Sequence, residues 1–233
     1  MDRQRKSVIL GLDTSGPALK IAVRFSNGKI EKTAKQYFNQ EEILFPIIQK
    51  ILNRNNLLLS DISKICVVKG PGRYTGIRIG LTFTNIMNLL LGTGAMSVTL
   101  FDVAAFQAVR SGLAPAGGLF AVVLHAFKNE YFCRIFKYGG DGAIKALKEP
   151  VWLADGFLKR YIDCFGKNIN VVFASHTANQ EQRPLEFKGL NYKSLVMKPE
   201  SIIEAALALG GKDMKPLYLK PAKYELAGKV TRL

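Results

Sequence analysis

Residues 7–37 read SVILGLDTSGPALKIAVRFSNGKIEKTAKQY. Val8 to Asp13 is a nearly continuous apolar run, as expected of a strand covered on both faces. The next segment alternates, with Leu19, Ile21, Val23 and Phe25 on one side. Ser26-Asn27-Gly28 is a hairpin turn signal, and Lys29 to Tyr37 follows as a third, more polar strand. The stretch therefore predicts a three-stranded meander with Asp13-Thr14-Ser15 in its first turn.

Helix periodicity begins where the meander ends. In residues 39–56 the apolar positions Leu44, Ile47, Ile48, Ile51 and Leu52 form a helical stripe. Asn39 is placed to cap this helix, and Glu41 and Glu42 suit the positive end of its dipole. Pro46 is tolerable near the first turn. A short strand at 60–70, a helix at about 75–91, a strand at 95–100 and a helix at 101–112 follow.

The second half starts the pattern again. Residues 117–127 and 130–138 read as strands joined by a tight turn at Lys128-Asn129, and 143–153 as a third strand. A helix at 154–166, a strand at 169–175 and a helix at 198–211, capped by Ser201 or entered through Pro199, complete it. The tail from Lys215 reads as extended or irregular. Two meanders, each followed by alternating helix and strand, predict an α/β protein of two related lobes, 1–106 and 107–233. The segment SGLAPAGG, residues 111–118, is the natural hinge.

Composition fits a folded chain. Of 233 residues, 48% are apolar and 22% charged, which argues against disorder. The net charge of +15 is spread over both halves, and such a balance suggests a polyanionic partner such as RNA. The apolar run after the basic start ends at Asp13, too soon for a signal peptide. No apolar run reaches the roughly 18 residues of a membrane span. Cys66, Cys133 and Cys164 are widely spaced and lie in or beside apolar segments. They are expected to be buried free thiols, which points to the cytoplasm and away from a membrane.

The glycine-rich loop KGPGRYTGIRIG, residues 69–80, decides between functions. It lacks the lysine of a nucleoside-triphosphate loop. It also fails the dinucleotide fingerprint, because Thr75 stands where the third glycine is needed. What remains is a strand, a turn and a helix N-terminus, with Thr75 able to cap the helix and free N–H groups able to attract an anion. Along that helix Gly76, Gly80 and Thr84 recur every four residues and share one face. Helical glycine costs about 1 kcal/mol relative to alanine, so the small face implies a close backbone approach. On spacing alone, the approaching backbone belongs equally to this chain or to a partner.

Three segments carry a family resemblance. ILGLDTS (residues 9–15), KGPGRYTGIRIG and PLYLK (residues 216–220) resemble the bacterial TsaB family, formerly YeaZ. The likeness is good over residues 7–106 and loose beyond. It implies a two-lobed actin, Hsp70 and sugar-kinase type of fold with RNase H-like topology. It implies a non-catalytic subunit that pairs with a larger paralogue, TsaD, which transfers threonylcarbamoyl to an adenosine beside the tRNA anticodon. A small ATPase, TsaE, joins the assembly, and tRNA is met through the complex. The family pairs through the two helices of its first lobe, here about 40–54 and 75–91. The residues assigned to the partner on that basis are Leu44, Ile48, Gly76, Arg78, Gly80 and Thr84. The same face would serve a homodimer when the partner is absent.

The sequence departs from the family at three places. Asn39 stands near a usual histidine, His125-Ala126-Phe127 replaces an Asp-Ala-Arg run, and residues 174–179 (ASHTAN) replace a glycine-rich loop. These losses argue against closure over a nucleotide. Asp13, Thr14, Ser15, Gly70, Gly72 and Thr75 are therefore expected to form a vestigial phosphate site. No cofactor of its own is expected, and ATP or ADP would bind only at the partner interface. No metal is expected either, since His125 and His176 offer no zinc-binding spacing. Asp13 is open to two roles, a turn carboxylate that accepts backbone N–H groups or a metal-orienting group of the kind kinases of this fold use. The alternatives to a scaffold are an ATP-dependent kinase or acyl-transferase of the same fold and a peptidase. Gly80→Leu is expected to leave the lobe folded and block the partner if the small face is an interface, and to unfold it if the face packs internally.

Overall fold

The computed structural model describes residues 7–167, 169–176, 190 and 192–220. Its first sheet opens with the meander: β1 (Val8–Asp13), β2 (Ala18–Arg24) and β3 (Ile30–Gln36) pair antiparallel. β4 (Ile62–Val68) and β5 (Gly94–Val98) add in parallel, giving the order β3-β2-β1-β4-β5. β1 is central, which explains its apolar run: Leu10 and Leu12 are fully buried. β3 lies at the edge, and its exposed lysines suit a strand that must not recruit another.

Helices α1 (Gln40–Arg54) and α2 (Tyr74–Leu91) cover the outer face of this sheet. Asn39 does precede α1, but its side chain donates to Glu42 Oε1 at 3.0 Å instead of capping the backbone. α2 starts at Tyr74 after Arg73 without a side-chain cap, so Thr75 lies inside the helix and does not cap it. Gly92, with φ 62°, ends α2 in the left-handed conformation that glycine adopts without strain.

The second lobe repeats the plan. β6 (Leu119–Phe127) and β7 (Glu130–Tyr138) form a hairpin, and Lys128 takes a φ of 50° at its turn. The single strand expected at 143–153 is two, β8 (Ile144–Ala146) and β9 (Val151–Ala154), both paired with β7. β10 (Asn170–Ser175) and β11 (Tyr192–Val196) continue in parallel from β6, in the order β11-β10-β6-β7-β8. α4 (Asp155–Asp163) packs on the outer face through Leu158 and Ile162. β11 has no counterpart in the sequence reading, because Lys193 and Ser194 interrupt its apolar pattern.

Two helices fill the space between the sheets. α3 (Leu100–Arg110) follows β5 and packs on β6 and β7, while α5 (Glu200–Leu209) packs back on β1, β2, β4 and β5. They touch each other through small side chains, including the buried Ala104, Ala105, Ala108, Ala205 and Ala206, which let the axes come close. The central core joins both lobes, with Phe101, Phe120, Val122, Phe136 and Ile202 in one cluster. Residue 106, the expected lobe boundary, lies within α3. Thr99 caps α3 in a reciprocal capping box with Asp102, which fixes where that helix begins.

Candidate functional site

The parallel strands place their C-terminal ends together, the position at which α/β sheets present their sites. Asp13 ends β1, Gly70 follows β4, His125 lies near the end of β6, and His176 follows β10. Between them is a cleft of about 350 Å³, with Ser15, Gly72 and Arg73 on the first lobe and His125, His176 and Lys220 on the second. The two histidines, 51 positions apart in sequence, share this cleft because β6 and β10 are neighbours in register.

A buried ionic cluster closes the floor. Lys20 and Asp13 are each 1% exposed and lie 3.4 Å apart, Nζ to Oδ2. His176 Nδ1 is 3.0 Å from Lys20 Nζ and 3.3 Å from Asp13 Oδ2. The other carboxylate oxygen accepts from the Ser15 N–H at 2.9 Å and the Ser15 hydroxyl at 2.6 Å. Burial alone would raise the Asp13 pKa, but the Lys20 ammonium and the two Ser15 donors outweigh it and hold the carboxyl well below the usual range. Burial lowers Lys20, and Asp13 opposes that shift. Burial and the Lys20 ammonium hold His176 below its ordinary value, so the neutral imidazole accepts the Lys20 proton at Nδ1. Asp13 is thus both a turn carboxylate and the counter-ion of a buried lysine from the next strand. Removing one member of such a pair costs about 3–5 kcal/mol.

Of the six residues expected at a phosphate site, only Ser15 and Gly72 line the cleft. The loop is committed to the chain itself: Arg73 N–H donates to the Ser15 carbonyl at 2.7 Å, and a side chain at Gly72 would meet that same carbonyl. Gly70 has φ 120° and lies against the Leu217 carbonyl, and Leu217 N–H donates to Lys69 O at 2.7 Å. The PLYLK segment is therefore a strap on the glycine loop. Thr75 points elsewhere, into the groove between α1 and α2. Of the ASHTAN stretch, residues 177–179 lie outside the described residues.

The small face of α2 packs internally. Thr14 Oγ1 donates to Gly76 O at 2.6 Å, and a Cβ on Gly76 would lie 2.0 Å from Thr14 O. A Cβ on Gly80 would meet Thr14 Oγ1 at 2.6 Å, and Thr84 is fully buried, its hydroxyl donating to Gly80 O at 2.8 Å. The approaching backbone is thus this chain's own first turn. Gly76, Gly80 and Thr84 are unavailable to a partner, and Gly80→Leu is a packing mutation. Leu44 and Ile48 are corrected in the same way, since both are buried in the core beneath α1. Arg78 alone of that set is exposed. Its guanidinium lies 4.0 Å over Tyr74, and its Nε donates to Tyr218 Oη on the strap at 3.2 Å.

The outward faces of α1 and α2 carry what the small face does not. A groove of about 500 Å³ between them is lined by Phe45, Tyr74, Ile79, Phe83 and Ile86, among others. It continues along α2 to Leu89 and Leu90, which are 85% and 70% exposed. The sequence signal for this surface is the unbroken apolar end of α2, Leu89 to Leu91. Cys66 and Cys133 are buried, and burial pushes their thiols up to about 11 and about 12. Cys164 is exposed, contrary to expectation, because the end of α4 leaves it on the surface.

Two lobes with repeated topology, a helix pair between the sheets and a cleft at the strand ends define the two-lobed actin-like class. Among solved structures, YeaZ from Pseudomonas aeruginosa superposes with a TM-score of 0.68 at 19% identity, over 91% of this chain and all of that one. TsaB of Bacillus subtilis is 25% identical over 76% of this chain and 75% of its own length. TsaB of Buchnera aphidicola subsp. Schizaphis graminum is 28% identical over 44% of this chain and 49% of its own. The family model of TsaD, tRNA N6-adenosine threonylcarbamoyltransferase, matches residues 32–131. In sequence and in fold, this chain is similar to the TsaB/YeaZ proteins.

Proposed function

We propose that this chain is a non-catalytic subunit in the synthesis of threonylcarbamoyladenosine on tRNA and pairs with a TsaD-like paralogue through the outward faces of α1 and α2. The observation that carries the pairing is the groove of Phe45, Tyr74, Ile79, Phe83 and Ile86, continued by exposed Leu89 and Leu90. Apolar surface of this extent favours a protein partner. The TsaD model matches residues 32–131, which contain both helices, so the paralogue would offer a related helix pair in return. A TsaE-like ATPase and tRNA complete the assembly, in the cytoplasm, and ATP or ADP belongs to the partner interface.

The kinase alternative is less well supported by the cleft. The carboxylate that would orient a metal already neutralises Lys20, and the loop N–H of Arg73 is spent on Ser15. The test is light scattering on a size-exclusion column, with the TsaD-like paralogue of the same organism. The wild type should form a heterodimer, and Leu89→Asp should weaken it by about 30-fold or more while melting like the wild type. Undiminished association of a folded Leu89→Asp would reject the assigned face. A homodimer of the wild type that the paralogue fails to dissociate would reject the assigned partner.

A further inference from the structure

The hairpin between β6 and β7 ends at the mouth of the interlobe cleft and displays Phe127, which is 56% exposed. Lys128 Nζ and Lys220 Nζ lie 5.6 Å and 5.2 Å from its ring centroid. Lys220 also lies 5.4 Å over the Trp152 ring and pairs with Glu130 Oε2 at 2.5 Å, so it is held in place at the rim. Across the cleft Arg73 is exposed and makes no ion pair among the described residues. The residues lining the cleft include Arg73, His125, His176 and Lys220 and no carboxylate.

An exposed aromatic ring rimmed by cations is the arrangement that holds single-stranded nucleic acid. Bases stack on the ring whatever their identity, and the cations track the phosphates. We infer that the cleft mouth is a direct RNA contact of this subunit, with a base stacked on Phe127 and the backbone running along Lys128, Lys220 and Arg73. This rests on the reading that the chain serves tRNA modification, and it adds which surface meets the RNA. The net charge of +15 supplies the long-range attraction, while the aromatic platform supplies the position.

The experiment is fluorescence anisotropy of the full chain, without its partner, on a labelled 12-nucleotide single-stranded RNA of mixed sequence. The wild type should bind in a salt-dependent way. Phe127→Ala should weaken binding about fivefold or more with unchanged melting. Lys128→Ala should weaken it and flatten the plot of log affinity against log salt by about 0.7. Lys35→Ala, an exposed charge on β3 outside the cleft lining, controls for bulk charge. The inference is overturned if the wild type does not bind, if Phe127→Ala binds like the wild type, or if Lys35→Ala loses as much as Lys128→Ala. Displacement of the RNA by AMP at equal nucleotide concentration would also overturn it, by assigning the cleft to a mononucleotide. Since the partner is absent from this assay, its failure leaves the pairing untouched, and loss of pairing in Leu89→Asp leaves this contact untouched.

Discussion

Gly76→Ala tests the contact on which the first lobe turns. In an ordinary helix this change gains about 1 kcal/mol. Here the new methyl carbon would lie 2.0 Å from the Thr14 carbonyl oxygen, against an ordinary carbon–oxygen contact of about 3.3 Å. The obstacle is backbone in a turn anchored by Asp13, so the helix and the turn must part by about 1 Å. Overpacking of this kind costs about 1–3 kcal/mol, and an obstacle that cannot rotate away puts the cost at the upper end. The separation also strains the 2.6 Å bond from Thr14 Oγ1 to Gly76 O, a further loss of about 1 kcal/mol. The expected net loss is about 2–3 kcal/mol, or roughly 4–12 °C in Tm for a chain of this size. Gly156→Ala in α4 supplies the opposite sign, because nothing lies within 4 Å of its Cβ position. It should leave Tm unchanged or raise it slightly. Thermal melts of both variants decide the matter. Equal shifts, or a Gly76→Ala protein as stable as the wild type, would refute the close approach.

Other outcomes follow from the buried cluster and the thiols. Lys20→Met should destabilise by about 3–5 kcal/mol in urea titrations by leaving Asp13 buried without its counter-ion, and adding Asp13→Asn should recover part of the loss. His176 is held neutral in the folded state, below its ordinary 6.5, so the unfolded chain takes the proton first as pH falls. Stability from this group is complete above about pH 6.5 and declines below it by up to about 1.4 kcal/mol per pH unit. Urea midpoints measured from pH 8 to 5.5 should therefore fall, and fall less steeply in His176→Gln; a flat wild-type profile would contradict the assignment. With a thiol-reactive dye, Cys164 should react at once, and Cys66 and Cys133 only on unfolding.

Much of this architecture was legible in the chain. The apolar run of β1, the alternation in β2 and the Ser26–Gly28 turn dictate the meander, because a strand buried on both faces has no polar side to spare. The spacing of Leu44, Ile48, Ile51 and Leu52 dictates α1, since only a helix brings those positions to one face. The repetition of the plan in the second half was visible for the same reasons. β11 was not, because a short strand with two polar residues has no period of its own and is fixed by pairing with β10.

Tertiary structure decided the rest. Periodicity showed that Gly76, Gly80 and Thr84 share a face, but a helical repeat carries no information about what lies opposite. Only the fold puts the Thr14–Ser15 turn there. His125 and His176 offered no motif, since their proximity comes from the parallel pairing of β6 with β10 and not from spacing. Nothing in the local pattern singles out Lys20, whose burial against Asp13 and His176 requires residues from both lobes. Sequence determined which local elements form, because local periodicity and turn chemistry act over a few residues. Which faces are left for a partner was decided by contacts between residues far apart in the chain, and those exist only once both lobes are folded.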